Sequence, residues 1–157
     1  MQRFANEQNV LGIISQETLS GLQEKFDTVF LIETIEHLSD HHLETTMKQI
    51  YSVLKPGGCL VISTPNKEDL EASKVYCPVS KLVFHPMQHL RSWNQGSLYK
   101  HLKDWQYADT FCLEIDLNSL PYRSIIDWLK YLIKRTCIRS YVPPHLFAFA
   151  RKPNITS

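Results

Sequence analysis

Three side chains in the run IETIEHL offer this chain its clearest chemistry: Glu33, Glu36 and His37. They follow FDTVFLI, an almost continuously apolar run that reads as a parallel strand covered on both faces. Open α/β sheets place their ligand crevice outside the carboxyl ends of such strands. If the chain turns helically after Ile32, spacings of three and four gather the three side chains on one side. Two carboxylates and an imidazole at one spot suit a divalent cation. The same imidazole is also a candidate general base, with Glu36 beside it. The alternative is that Glu-His-Leu simply follows the strand and serves packing and hydrogen bonding.

The neighbouring elements must hold this group in place. Asp40 reads as a helix N-cap, with Glu44 in the first turn where the helix dipole favours an anion. Leu43, Met47, Ile50, Tyr51 and Leu54 then recur on one face. Pro56, Gly57 and Gly58 are expected to end the helix. Leu60 to Ser63 reads as a second buried strand, closed by Pro65. Strand, helix and strand with short joints predict a right-handed βαβ unit. Asn66, at the end of that second strand, either meets a ligand or caps the turn.

Residues 67–93 show no clear period and are rich in His, Pro and aromatics, which marks a long functional or disordered loop. A helix is expected over 94–105 with Leu98 and Leu102 inward, then a strand over 107–115. Residues 121–139 read as an amphipathic helix with an apolar face of Ile125, Ile126, Leu129, Leu132 and Ile133. It carries Arg123, Lys130, Lys134, Arg135 and Arg139 against Asp127. That helix either packs by one face, caps a site, or rests on an anionic membrane surface. A final strand is expected over 145–150, and a weak one over 10–14.

The 157 residues favour one domain, and 43% hydrophobic with 21% charged residues is ordinary for a globular chain. With a net charge of +1 nothing global argues for a polyanionic or an acidic partner, and nucleic acid is not favoured as a ligand. No apolar run approaches the ~18 residues of a membrane span, and no signal-peptide pattern is present. Four cysteines without a C-x-x-C pair do not read as a disulfide framework or a zinc site, which points to a reducing, cytoplasmic setting.

The block from Lys25 to Asn66, with KFDTVFLIETIEHL and LKPGGCLVISTPN, resembles the second half of a class I S-adenosylmethionine (SAM)-dependent methyltransferase. The phrase HLFAFARKP looks like the antiparallel last strand of that sheet. The segment FHPMQHLRSW is similar in layout to a phrase of small-RNA 3′-end 2′-O-methyltransferases. There a Glu-x-x-Glu-His group and a later histidine bind Mg²⁺, and ubiquinone-pathway O-methyltransferases carry a related group. The longer phrase YCPVSKLVFHPMQHLRSW resembles bacterial methyltransferases with Cys-Pro-x-Cys in this loop. Ser80 stands at the second cysteine position, so Cys77 reads as packing.

The resemblance implies an α/β fold: an incomplete Rossmann-like sheet, mostly parallel with an antiparallel last strand, flanked by helices. It implies SAM as cofactor, met by the chain near Leu31, Ile32 and Glu33. It assigns Glu33, Glu36, His37 and His89 to Mg²⁺ or another divalent cation, Glu36, His37 and His89 to catalysis, and Asn66, His85 and Arg91 to the acceptor. The implied reaction is methylation of a hydroxyl on a small molecule or glycan. The alternatives are a non-catalytic binding module and an RNA 3′-end 2′-O-methyltransferase. Gln88 and Leu90-Arg91-Ser92 depart from the RNA enzymes' pattern. The five glycines form no Gly-x-Gly turn, which the family uses to approach SAM. The expected organisation is therefore one methyltransferase-like domain over 1–157, truncated at its N-terminus. It would carry an active-site loop at 67–93 and a helical insertion at 117–142. A sheet so shortened would expose the edge of its best strand to association.

Overall fold

The structure, a computed structural model, describes residues 21–116, 133 and 141–154. The expected strand at 10–14 and nearly all of the basic helix at 121–139 lie outside the described residues. Strand β1 (Phe26–Ile32) leads through a 3₁₀ turn (Ile35–His37) into helix α1 (Asp40–Val53) and strand β2 (Leu54–Pro65). A hairpin follows, β3 (Val75–Cys77) and β4 (Leu82–Phe84), then helix α2 (Gln95–Asp104), β5 (Thr110–Ile115) and β6 (His145–Arg151).

The main sheet runs β1-β2-β6-β5. β1 and β2 are parallel, and β6 is antiparallel to both of its neighbours, β2 and β5. Three strands therefore share one direction and the last is reversed between two of them, as the resemblance implied. Ile35, Met47, Leu54, Leu60, Ile62, Leu98, Leu102 and Leu146 fill the core between sheet and helices. Among the described residues no helix is long and apolar enough to cross a membrane.

Several boundaries differ from the sequence reading, each for a local reason. Ser39, not Asp40, caps α1, because its hydroxyl accepts from the His42 N–H at 3.4 Å. Lys55-Pro56-Gly57-Gly58 does not stop the helix but lies within β2. Leu54 is already extended and pairs with Phe26, while Thr28 pairs with Cys59. The extra β2 residues form an irregularity that Gly57 permits with φ 75°. Gly58 is held close: a Cβ there would lie 2.8 Å from the Lys55 carbonyl oxygen.

β1 is not covered on both faces. Leu31 is buried, but Phe30 is 67% and Ile32 49% exposed. Phe30 and Ile32 alternate with Leu31 and so share the opposite face, and β1 is also an edge strand among the described residues, pairing only with β2.

Candidate active site

The site is built where β1 and β2 end. Glu33 takes φ 43°, Lys67 φ 53° and Gln88 φ 57°, left-handed conformations that cost a non-glycine residue about 1–2 kcal/mol each. Each turns the chain at a corner: after β1, after β2, and just before His89. Strain of this kind gathers at functional sites.

The 3₁₀ turn brings Glu36 inward and His37 to the surface side. Glu36 is 1% exposed, and its Oε2 accepts from the Thr64 hydroxyl at 2.9 Å. Its Oε1 meets no hydrogen-bond donor among the described residues. The His37 Nε2 lies 3.8 Å from that oxygen. A buried carboxylate oxygen without a donor is costly unless a cation or a polar ligand meets it. The His89 ring packs edge-on against His37, with centroids 4.7 Å apart. One ligand atom each from Glu36, His37 and His89 falls within 4.8 Å of the others, the spacing of a cation's donor set. Carboxylate oxygen and imidazole nitrogen fit a divalent ion chemically.

The other expected site residues divide into those that join this cluster and those that do not. Glu33 stands apart: its Oε1 accepts from the Ser63 hydroxyl at 2.7 Å, and its N–H donates to the Ser63 carbonyl at 2.9 Å. Of the four residues assigned to a cation, three converge and Glu33 is engaged by Ser63. Leu31 points into the core, so only its backbone is left to meet a cofactor, and Ile32 is half-exposed.

Asn66 is buried and its amide donates to the Pro143 carbonyl at 2.8 Å, tying β2 to the segment before β6. Its Oδ1 has no donor among the described residues. Arg91 is held by the protein itself. Its Nε and Nη2 both donate to the Leu38 carbonyl, at 3.0 and 2.6 Å, and Nη2 also reaches Asp40 at 2.9 Å. That guanidinium fastens the loop to the start of α1 instead of standing free for an acceptor.

His85 lies against His89 with rings stacked at 4.7 Å. Both face Glu68, a residue the sequence reading passed over. Glu68 follows Asn66 by two positions, and an acid so close behind a strand end in the crevice was the available signal. Cys77 is engaged by its turn: the Ser80 N–H donates to Sγ at 3.5 Å. Hydrogen bonds from Ser80 and Val79 hold the thiol below its ordinary range.

The expected loop is thus ordered, and it is tied to the site at several points. Lys67 N–H donates to the Trp93 carbonyl at 2.7 Å. Leu90 and Arg91 N–H groups both donate to the Glu36 carbonyl, at 2.9 and 3.3 Å. Nearby, burial lowers the His101 imidazole below its usual range, with Arg91 adding to the effect.

Comparison with known proteins agrees with this architecture. A methyltransferase-domain family matches residues 3–114. The mouse mitochondrial ubiquinone biosynthesis O-methyltransferase is 46% identical over 55 residues, which are 35% of this chain and 14% of that protein. A SAM-dependent methyltransferase from Archaeoglobus fulgidus superposes with TM-score 0.59 at 19% identity, over 89% of this chain and 66% of that one. Phosphoethanolamine N-methyltransferase 2 of Haemonchus contortus, solved with SAM, superposes with TM-score 0.51 at 18% identity, over 84% of this chain and 34% of that one. The matches therefore span only part of these relatives. By family match this chain belongs to the methyltransferase-domain family, and its fold is shared with solved SAM-dependent methyltransferases.

Proposed function

We propose that this chain serves SAM-dependent methyl transfer to a hydroxyl, on a small-molecule or glycan acceptor. The observation that carries the reading is the convergence of Glu36, His37 and His89 at the carboxyl ends of β1 and β2. The 46% identical segment shared with an O-methyltransferase supports oxygen as the acceptor atom. SAM supplies an electrophilic methyl group on a sulfonium. The protein must align the acceptor oxygen in line with it and dispose of the hydroxyl proton. In this reading His37 or His89 takes that proton. The same donors fit a divalent cation, which would lower the hydroxyl's pKa instead. The three described cysteines, Cys59, Cys77 and Cys112, are free thiols and support a reducing, cytoplasmic setting.

The test pairs binding with turnover. SAM is titrated calorimetrically into the full chain, and radiolabelled methyl transfer is then followed to a panel of phenolic, catecholic and glycan hydroxyls and to RNA 3′ ends. Micromolar binding with transfer to a hydroxyl is expected, and His89→Ala should lower kcat by about 10²–10⁴-fold. Transfer only to RNA ends would move the assignment to that class. No SAM binding and no transfer would sink the enzyme reading in favour of a non-catalytic binding module. Loss of activity in EDTA, restored by a divalent ion, separates cation from base; unchanged activity in EDTA removes the cation.

A further inference from the structure

The Glu68 carboxylate stands between two imidazoles. Its Oε2 is 2.5 Å from His89 Nδ1 and its Oε1 is 3.3 Å from His85 Nε2. The first contact is a short hydrogen bond. The second is an ion-pair distance without hydrogen-bond alignment, which is why His85 Nε2 has no bonded partner. Both histidine side chains are 7% exposed and that of Glu68 is 21% exposed.

The protons in this arrangement can be assigned from the partners. An ionised carboxylate only accepts, so the proton between it and His89 sits on Nδ1. The backbone N–H of His89 donates to His85 Nδ1 at 3.3 Å, which places the His85 proton on Nε2, facing Glu68. The left-handed turn at Gln88, with its N–H donating to the His85 carbonyl at 2.9 Å, folds the two rings onto each other. Glu68 therefore receives an N–H from one ring at short range and faces an N–H from the other.

The consequence falls on the far side of His89. With Nδ1 protonated and committed, Nε2 carries the free lone pair, and His89 is the ring that packs against His37 beside Glu36. Taking a proton from an acceptor and ligating a cation both require that lone pair. We propose that Glu68 is the positioning residue of this site: it fixes the ring orientation and tautomer of His89, leaving the Nε2 lone pair of a ring that packs beside Glu36 and His37 free to accept a proton or a cation. The inference rests on the role given to His89 above, yet it concerns a ground-state property of the protein alone. Histidine free in water favours the opposite tautomer, with the proton on Nε2, so the effect has a spectroscopic signature.

The full chain is labelled with ¹⁵N-histidine, and long-range proton–nitrogen correlation spectra are recorded at about pH 8, above the ordinary range of histidine. His89 should show the Nδ1–H pattern in the native protein. Glu68→Ala should convert it to a mixture dominated by Nε2–H, whereas Glu68→Gln, whose amide oxygen still accepts, should keep the Nδ1–H pattern. Where transfer is measured, Glu68→Ala should lower kcat about 10–100-fold with acceptor KM nearly unchanged. An Nε2–H pattern in the native protein, or an unchanged pattern in folded Glu68→Ala, overturns the proposal. The native spectrum decides even if Glu68→Ala does not fold. Because the readout needs no SAM, acceptor or ion, failure of methyl transfer and failure of this inference are separate results.

Discussion

Arg91 shows how a residue's type and its contacts can point in different directions. An arginine close in sequence to two histidines invites a role in holding substrate, yet its fork closes on the Leu38 carbonyl and Asp40, and it lies 5.9 Å over the Trp93 ring. Lysine cannot reproduce that fork. Arg91→Lys is expected to lower stability by about 1.5–3 kcal/mol in urea titrations, with acceptor KM unchanged. A raised KM at unchanged stability would return Arg91 to the acceptor. At this scale the sequence revealed Glu36 and His37, since their place at a strand end follows from pattern alone. His89 came into view through its resemblance to a known phrase. Glu68 did not, because its meaning depends on two rings that the Gln88 turn brings back over a distance in sequence. Glu33 was read correctly as lying at the strand end, but its pairing with Ser63 depends on the register of β1 against β2.

Elements were legible in proportion to how local their signals are. Helix α2 fell within one residue of expectation, because Asn94 and Ser97 cap it reciprocally: Asn94 Oδ1 accepts the Ser97 N–H at 2.9 Å, and Ser97 Oγ accepts the Asn94 N–H at 3.0 Å. The Pro-Gly-Gly segment misled because the same residues that end helices also form strand irregularities, and only pairing with β1 decides between them. The hairpin β3–β4 escaped notice since its strands are three residues each and mostly exposed, too short for alternation to show.

Helix α2 also carries an acid-sensitive element. His101 sits 5.3 Å from Trp93, and burial followed by Arg91 disfavours its charged form. The unfolded chain takes up that proton near pH ~6.5, while the folded protein resists it until a lower pH. The stabilising difference is therefore complete above the unfolded value and is lost as pH falls through the folded one. His101→Gln should flatten the decline in urea midpoint between about pH 7 and pH 5. An equally steep decline in the variant would place the sensitivity elsewhere.

The whole molecule presents an unusual outer face. β1 exposes Phe30 and Ile32, and beside it lies a groove of about 360 Å³ lined by Phe26, Val29, Leu31, Ile50 and Val53, among others. An apolar strand edge without a neighbour among the described residues is a template for pairing. Sedimentation of this chain should reveal concentration-dependent association, and Phe30→Lys should suppress it. Equal association in both would assign the contact to another surface. The strand order and the open edge were expected through the resemblance, whereas the exposure of Phe30 and Ile32 was not, because FDTVFLI looks the same whether or not another layer covers its face.

The backbone oxygen of Glu36 receives two amides from the far end of the 67–93 segment, and the near end is pinned at Lys67 to Trp93. Such stitching holds both ends of the segment against the site and leaves the exposed hairpin between them as the part that projects from it. The carbonyl of the residue whose carboxylate lines the cluster is thus the anchor for the chain that delivers the second imidazole, so the two halves of the site are registered by backbone alone.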